Sequence, residues 1–380
     1  MNADYGMVLL GVGGGGCQVA AAARRLFGDS LRALGLDTDQ HAIGSAEGLR
    51  GMLLGGPRLE GMGTGGDPVK GRLAMQDSAE LLKRELDGVR IAVVVTALGG
   101  GTGGGATPEL LRLLRQAEVT TLCFALLPFA FEPAGRRRAA ERALPQLDEN
   151  ADTVVVVPQD DLWKRAGAAD AALAVAAQEA SRQFGHGLTL LWRLLLMPGF
   201  IRFDPARLRA VLSSRGRARF LTSEAVGPDR AQEAAESLLA QAGKPDAAAP
   251  ARACVLGILA ADDLRLAEVD RVMRTVTAAL PGDCRLDMGT TVDSRCEGTL
   301  CLMALVFDTW NEASAGGAAA AAAAPSGLPA LAKGGGRARG PKTSKLGYNT
   351  GRGRFRDIEA TIFNGEDLDI PTFVRKHITL

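Results

Sequence analysis

The stretch IAVVVTALGGGTGGG, residues 91–105, decides how this chain is read. Ile91 to Ala97 is a run of β-branched and small apolar residues, the pattern of a buried strand. Seven positions, Gly99-Gly100-Gly101-Thr102-Gly103-Gly104-Gly105, then carry a single side chain. Pro108 follows in the first turn of an apolar helix, where its missing N–H costs nothing. A glycine loop between a strand and a helix lets backbone N–H groups approach an anion. The loop lacks the Gly-Lys-Ser/Thr of the common phosphate-loop ATPases.

A second loop of the same kind lies upstream. Met7 to Val12 reads as a buried strand, and Gly13, Gly14, Gly15 and Gly16 lead into a helix from about Cys17 to Phe27. Gly11, Gly13 and Gly16 fit the dinucleotide fingerprint, and Asp37 ends the next strand where a ribose ligand is expected. Alone, this would read as a nicotinamide-dependent oxidoreductase of the Rossmann type. Such an enzyme has no routine need for a second anion cradle. Two phosphate loops on neighbouring strands can instead surround one triphosphate from two sides, and a hydroxyl such as Thr102 can then bond phosphate.

Further strands are expected at 33–36, 120–127 and 153–157, alternating with helices, which predicts βαβ units and a mostly parallel sheet. Residues 48–71 read as loops, 72–86 as one amphipathic helix, and 168–197 as a long helix closed by Pro198-Gly199. Strands at 217–221, 253–259, 283–288 and 299–307, with helices at 229–241 and 266–280, predict a second, smaller α/β unit. The expected organisation is a nucleotide-binding domain over 1–167, a central helix over 168–199 and a second domain over 200–310. A disordered basic linker over 311–357 and a partner-binding peptide over 358–380 complete it.

Composition narrows the function classes. Of 380 residues, 47% are apolar and 23% charged, which excludes wholesale disorder. The net charge of +1 gives no global case for nucleic acid, and only Tyr348 and Phe355 interleave with the basic stretch at 333–356. Six cysteines stand far apart, without Cys-x-x-Cys or zinc spacing to the three histidines. Reduced thiols and no structural metal site are expected, and with them a cytoplasmic location. Met1-Asn2-Ala3-Asp4 lacks the start of a signal peptide, and no apolar run reaches a membrane span.

The ordered motifs resemble the tubulin/FtsZ family of polymer-forming, cell-division GTPases. Gly99–Gly105 looks like that family's signature, and Gly11–Gly16 like its first phosphate loop. Asp37-Thr38-Asp39 resembles its Asn-Thr-Asp, and Gly63-Thr64-Gly65-Gly66-Asp67-Pro68 its next glycine loop. Pro128 to Glu132, with Arg136 downstream, resembles its ribose-proximal segment. Pro158-Gln159-Asp160 resembles its Pro-Asn-Asp, and Pro198 to Asp204 the start of its synergy loop. Residues 369–376 are similar to its C-terminal peptide.

The resemblance implies GTP, with Mg2+, held between protomers of a head-to-tail filament at the division site. Gly13, Gly14, Gly15, Gly16, Cys17, Gln18, Gly100, Gly101, Thr102, Gly103, Glu132, Arg136 and Ser181 would contact nucleotide, and Asp204 would act on the next subunit's GTP. Leu368 to Lys376 would bind a membrane tether or another division protein. Departures fall on chemistry. The synergy loop carries Arg202, Asp204 and Arg207 where the family has Asn, Asp and Asp, and Gln159 and Ser181 stand at base-proximal positions. They leave open a nucleotide-binding structural polymer with weak or no hydrolysis.

Overall fold

The computed structural model describes residues 6–166, 172–197, 199–214, 216–242 and 251–309, with 362–363 and 366–367. Met1–Ala324 and Pro325–Leu380 are separate units. In the second, the described residues form a short antiparallel pair, Ile362↔Asp367 and Phe363↔Glu366. The expected linker at 311–357, the peptide at Leu368 to Lys376 and Pro198 lie outside the described residues.

The first unit is built on a ten-stranded sheet. Its strands are β1 (Met7–Val12), β2 (Ala33–Asp37), β3 (Arg50–Leu53), β4 (Ile91–Ala97), β5 (Thr120–Leu127) and β6 (Thr153–Pro158). Then come β7 (Gly216–Val226), β8 (Ala253–Ala260), β9 (Arg285–Val292) and β10 (Thr299–Phe307). Their spatial order is β3-β2-β1-β4-β5-β6-β7-β10-β8-β9. β1 to β6 pair parallel, as the alternation of strands and helices predicted.

The second half does not make a sheet of its own. β7 joins β6 in parallel at Thr153↔Gly216, and β10 then pairs antiparallel with both β7 and β8. Residues 168–171 lie outside the described residues, and the central helix α9 is seen over Leu173–Leu196. Its apolar face, including Phe184, Leu188, Leu191, Trp192 and Leu195, is buried in a core shared with β4, β5, β8 and β10. Phe184 meets Phe124 of β5 and Phe220 of β7 edge to face, at 5.4 and 6.1 Å between ring centroids. Gly185 admits the backbone of α1 (Gly13–Phe27): a Cβ there would stand 2.9 Å from the Ala23 nitrogen.

Two local expectations give way to side-chain chemistry. The single helix expected over 72–86 is two, α4 (Pro68–Asp77) and α5 (Ala79–Glu85). Ser78 breaks it: its hydroxyl donates to the Ala74 carbonyl at 2.9 Å and accepts from the Gly55 N–H at 3.0 Å. The expected loop at 48–71 holds β3, a single turn, Gly56–Leu59, and the first turn of α4.

Candidate nucleotide-binding site

The register of the parallel strands brings the glycine loops to one end of the sheet. Val12 lies beside Leu36 on one side and Thr96 on the other, and Thr96 lies beside Ala125. The segments after β1, β2, β4 and β5 therefore leave the sheet together, at the carboxyl ends where open α/β sheets bind ligands.

α1 starts at Gly13 without a capping side chain, so the first-turn N–H groups are presented to whatever sits at its tip. Gly13 has φ +72°, a left-handed conformation that favours glycine. A Cβ there would stand 3.4 Å from the Gly103 nitrogen, so the two loops nearly touch. Gly14 and Gly15 are exposed, whereas Gly16 is pressed against the Val95 carbonyl of β4.

After β4 the chain makes a π-turn, Thr102–Ala106, which runs into α6 (Thr107–Gln116). Gly101 lies against the Thr64 hydroxyl and the Asp67 backbone, and a Cβ would overlap both. Gly100 faces open space. The Thr102 hydroxyl lies 2.7 Å from the Thr38 hydroxyl and also bonds the Asp37 carboxylate. Asp37 is legible as an acidic residue at the end of the second strand, Thr38 and Thr64 only as parts of motifs; the structure brings Asp37 and Thr38 to Thr102 and Thr64 to Gly101.

Asp37 is 3% exposed. Burial raises its carboxyl above the ordinary carboxylate range, against hydrogen bonds from Asp39 N–H, Thr38 N–H and Thr102 that lower it. Cys17 is fully buried, its thiol donating to the Gly11 and Leu36 carbonyls. Burial first, then the Asp37 charge, pushes that thiol up to about 12. Cys17 can offer a ligand only its backbone. Gln18 donates to the Ser45 carbonyl at 3.2 Å.

The remaining expected residues lie around this end of the sheet or apart from it. Glu132 accepts from the Phe129 N–H at 2.9 Å and pairs with Arg136 at 3.0 Å, closing the segment after β5 on itself. Gln159, at the start of α8 (Gln159–Ala166), donates to the Leu127 carbonyl at 2.9 Å, and Asp160 accepts from the Ala130 N–H. On α9, the Ser181 hydroxyl donates to the Ala177 carbonyl at 2.9 Å, and Arg182 is clamped by Glu179.

Asp204 lies outside this cluster. It caps α10 (Pro205–Leu212) by accepting from the Ala206 N–H at 2.8 Å. The segment before it is pinned to β9 by two Ile201–Thr290 hydrogen bonds. Arg207 pairs with the nearly buried Asp287 of the same chain at 3.1 Å. Phe200 is 89% exposed.

Two family models match: the GTPase domain of the tubulin/FtsZ family over residues 6–167, and the C-terminal domain of the FtsZ family over 216–309. The chain belongs to the tubulin/FtsZ family. Cell division protein FtsZ 2 of Rhizobium meliloti is 30% identical over 297 residues, 77% of this chain and 85% of that one. Cell division protein FtsZ of Methanothermobacter thermautotrophicus is 28% identical over 299 residues, 79% and 78% of the two chains. Among solved structures, an empty FtsZ dimer from M. jannaschii superposes with a TM-score of 0.73 at 25% identity, covering 79% of this chain and 87% of that one. CetZ2 from Haloferax volcanii, a GTPgS-bound protofilament, shares the fold with a TM-score of 0.66 at 23% identity, over 83% and 99% of the chains.

Both glycine loops of this FtsZ-family chain fall inside the matched GTPase domain, and the oxidoreductase reading finds no support. No helix among the described residues is long and apolar enough to cross a membrane.

Proposed function

We propose that the chain binds GTP at the joined glycine loops and assembles head to tail, as a cell-division filament protein. The observation that supports this reading is the meeting of the two loops, Gly13 against Gly103, with Thr38 of the segment after β2 against Thr102, at the carboxyl ends of the strands. The uncapped tip of α1 and the open face at Gly100 suit phosphate oxygens. Mg2+ would accompany the triphosphate as its counter-ion. Gly13 to Gln18 and Gly100 to Gly103 would hold the phosphates, with Glu132 and Arg136 beside the ribose and Ser181 near the base. The relatives are named as cell division proteins, and a solved FtsZ structure at 25% identity is a dimer.

In this reading Asp204 enters the next subunit's site, and exposed Phe200 and Ile201 supply the apolar contact that seats it. Such a heterologous contact, repeated without closure, builds an open polymer. The segment boundaries at 167, 199, 310 and 357, a division-site location, and recruitment through Leu368 to Lys376 belong to the same proposal.

A second reading keeps the polymer and weakens the hydrolysis. It is favoured by the pairing of Arg207 with Asp287, which turns a synergy-loop position toward its own chain.

Equilibrium binding of GTP to the full chain and to Gly101→Val tests the site. Binding by the wild type and loss of at least about 100-fold in the variant supports it, since a side chain at Gly101 overlaps the backbone beneath. Equal affinity would move the phosphates elsewhere.

A further inference from the structure

Away from the glycine loops, three side chains distant in sequence converge between α9 and the sheet. Glu224 of β7 and Cys301 of β10 are directly paired across the antiparallel ladder. Directly paired residues share one face. His186 of α9 meets them there. One imidazole nitrogen, one carboxylate oxygen and the Cys301 sulfur all lie within 4.8 Å of one another.

His186 Nε2 stands 3.8 Å from a Glu224 oxygen. It is buried, and no described residue gives it a hydrogen bond. An unbonded buried ring nitrogen is costly unless something accepts its lone pair or proton. Cys301 is itself hydrogen-bonded to the Cys296 thiol, so a fourth donor is adjacent. The nearby guanidinium of Arg193 is engaged by Asp293 at 3.3 Å, and that of Arg182 by Glu179. Arg193 shares Asp293 with Arg295, whereas Glu179 is held by Arg182.

We infer that His186, Glu224 and Cys301 form a binding site for a zinc-class divalent cation, which ties the central helix to β7 and β10. The donor set selects the metal. Nitrogen, sulfur and carboxylate oxygen together suit Zn2+, whereas Mg2+ takes oxygen alone. Tetrahedral ligands about 2.0–2.3 Å from zinc are about 3.3–3.8 Å apart. An N/O ligand pair would sit at about 3.3–3.5 Å; His186 and Glu224 stand 3.8 Å apart, and exposed Glu224 can swing a few tenths of an ångström to close on the metal and bring the third donor in. Entry is through a cleft of about 590 Å3 lined by Arg182, His186, Leu190, Glu224, Ser237 and Gln241. The fourth position falls to water from this cleft or to Cys296.

Sequence spacing hides the site, because its donors come from one helix and two strands rather than from a short motif. A filled site would hold α9 against the strands of the second half. It is independent of the nucleotide proposal.

The test uses the full chain, reduced, stripped with chelator and free of nucleotide. It is titrated with Zn2+ and, for its spectrum, with Co2+. The expected result is one equivalent of Zn2+ bound tighter than micromolar, a rise in Tm, and thiolate-to-cobalt charge-transfer absorption. Millimolar Mg2+ should not compete. His186→Gln and Cys301→Ser should each weaken binding by at least about 100-fold, more than a change outside the ligand shell usually does. Both should abolish the zinc-dependent rise in Tm while leaving the metal-free Tm within a few degrees. Wild-type protein that binds no Zn2+ below about 10 µM overturns the inference, whatever the variants do. So does stoichiometric Zn2+ that survives both substitutions.

Discussion

The Thr38 and Thr102 hydroxyls meet at 2.7 Å, joining the segment after β2 to the glycine loop after β4. Thr38 is fully buried and Thr102 nearly so. This bond, with the Asp37 carboxylate behind it, holds the two sides of the cradle together. Removing the Thr102 hydroxyl takes this partner from buried Thr38 and a donor from Asp37, and removing the Thr38 hydroxyl leaves Thr102 only Asp37; a lost buried hydrogen bond of this kind costs roughly 1–3 kcal/mol. Thr38→Val and Thr102→Val are expected to lower stability by such an amount, and the double variant by less than the sum. Urea unfolding of the four proteins measures this coupling. Additive effects would show that the hydroxyls do not act as a latch.

Asp37 gives the site a pH signature. Burial raises its folded pKa above the ordinary value of 3.8. The folded chain then holds the proton to higher pH than the unfolded chain. The corresponding stability is fully present below about pH 4 and is lost as pH rises through the folded value. Asp37→Asn removes that loss, so it should raise Tm at pH 7 and leave Tm little changed near pH 3. It should also tighten triphosphate binding several-fold. A carboxylate charge beneath a triphosphate site opposes binding of the anion by Coulomb repulsion, on the order of 1 kcal/mol at intermediate dielectric. A variant less stable at pH 7 would show that the carboxylate is a net stabiliser.

Asp204 has a structural duty that any catalytic test must separate. It caps α10, and Asp204→Ala should cost about 1 kcal/mol for that reason alone. Asparagine caps as well as aspartate but carries no charge. Asp204→Asn is therefore expected to retain the wild-type Tm while lowering phosphate release per subunit at least about tenfold, and only at protein concentrations that support assembly. Unchanged turnover in Asp204→Asn would remove the carboxylate from hydrolysis and favour the weakly hydrolytic polymer.

Base recognition should not depend on the Ser181 hydroxyl, which is bonded to its own helix at Ala177. Ser181→Ala is expected to change GTP affinity by less than about twofold. Ser181→Asn, which can both donate and accept, should raise the preference for GTP over ATP by up to about tenfold, the worth of one good hydrogen bond. Competition binding with the two nucleotides reads both. Loss of GTP preference in Ser181→Ala would show that the hydroxyl leaves Ala177 and reads the base.

The cradle was legible because glycine runs and β-branched strands are local signals. The order of Gly13–Gly16, Asp37-Thr38 and Gly99–Gly105 along the chain becomes adjacency once parallel pairing is assumed. What stayed hidden depends on single long-range bonds. Ser78 splits a helix by reaching Gly55, and no periodicity records that. The continuity of the sheet rests on three residue pairs, Thr153, Val154 and Val155 with Gly216, Arg217 and Ala218. A pattern of strands and helices cannot say whether two halves share a sheet. Thr102 reads as a hydroxyl that can bond phosphate, and only the fold shows it engaged by Thr38. The meeting of His186, Glu224 and Cys301 depends on β7–β10 register and on the face α9 turns toward it.

The measurement that bears most directly on the whole reading is sedimentation of the purified full chain with Mg2+ and GTP, GDP or no nucleotide, across a range of protein concentrations. Pelleted polymer is expected with GTP alone, above a threshold concentration, and phosphate release is expected to begin at that same threshold. Polymer without phosphate release would retain the filament and select the weakly hydrolytic form. A chain that binds no GTP, or that pellets equally with and without it, would contradict a nucleotide-driven, head-to-tail polymer.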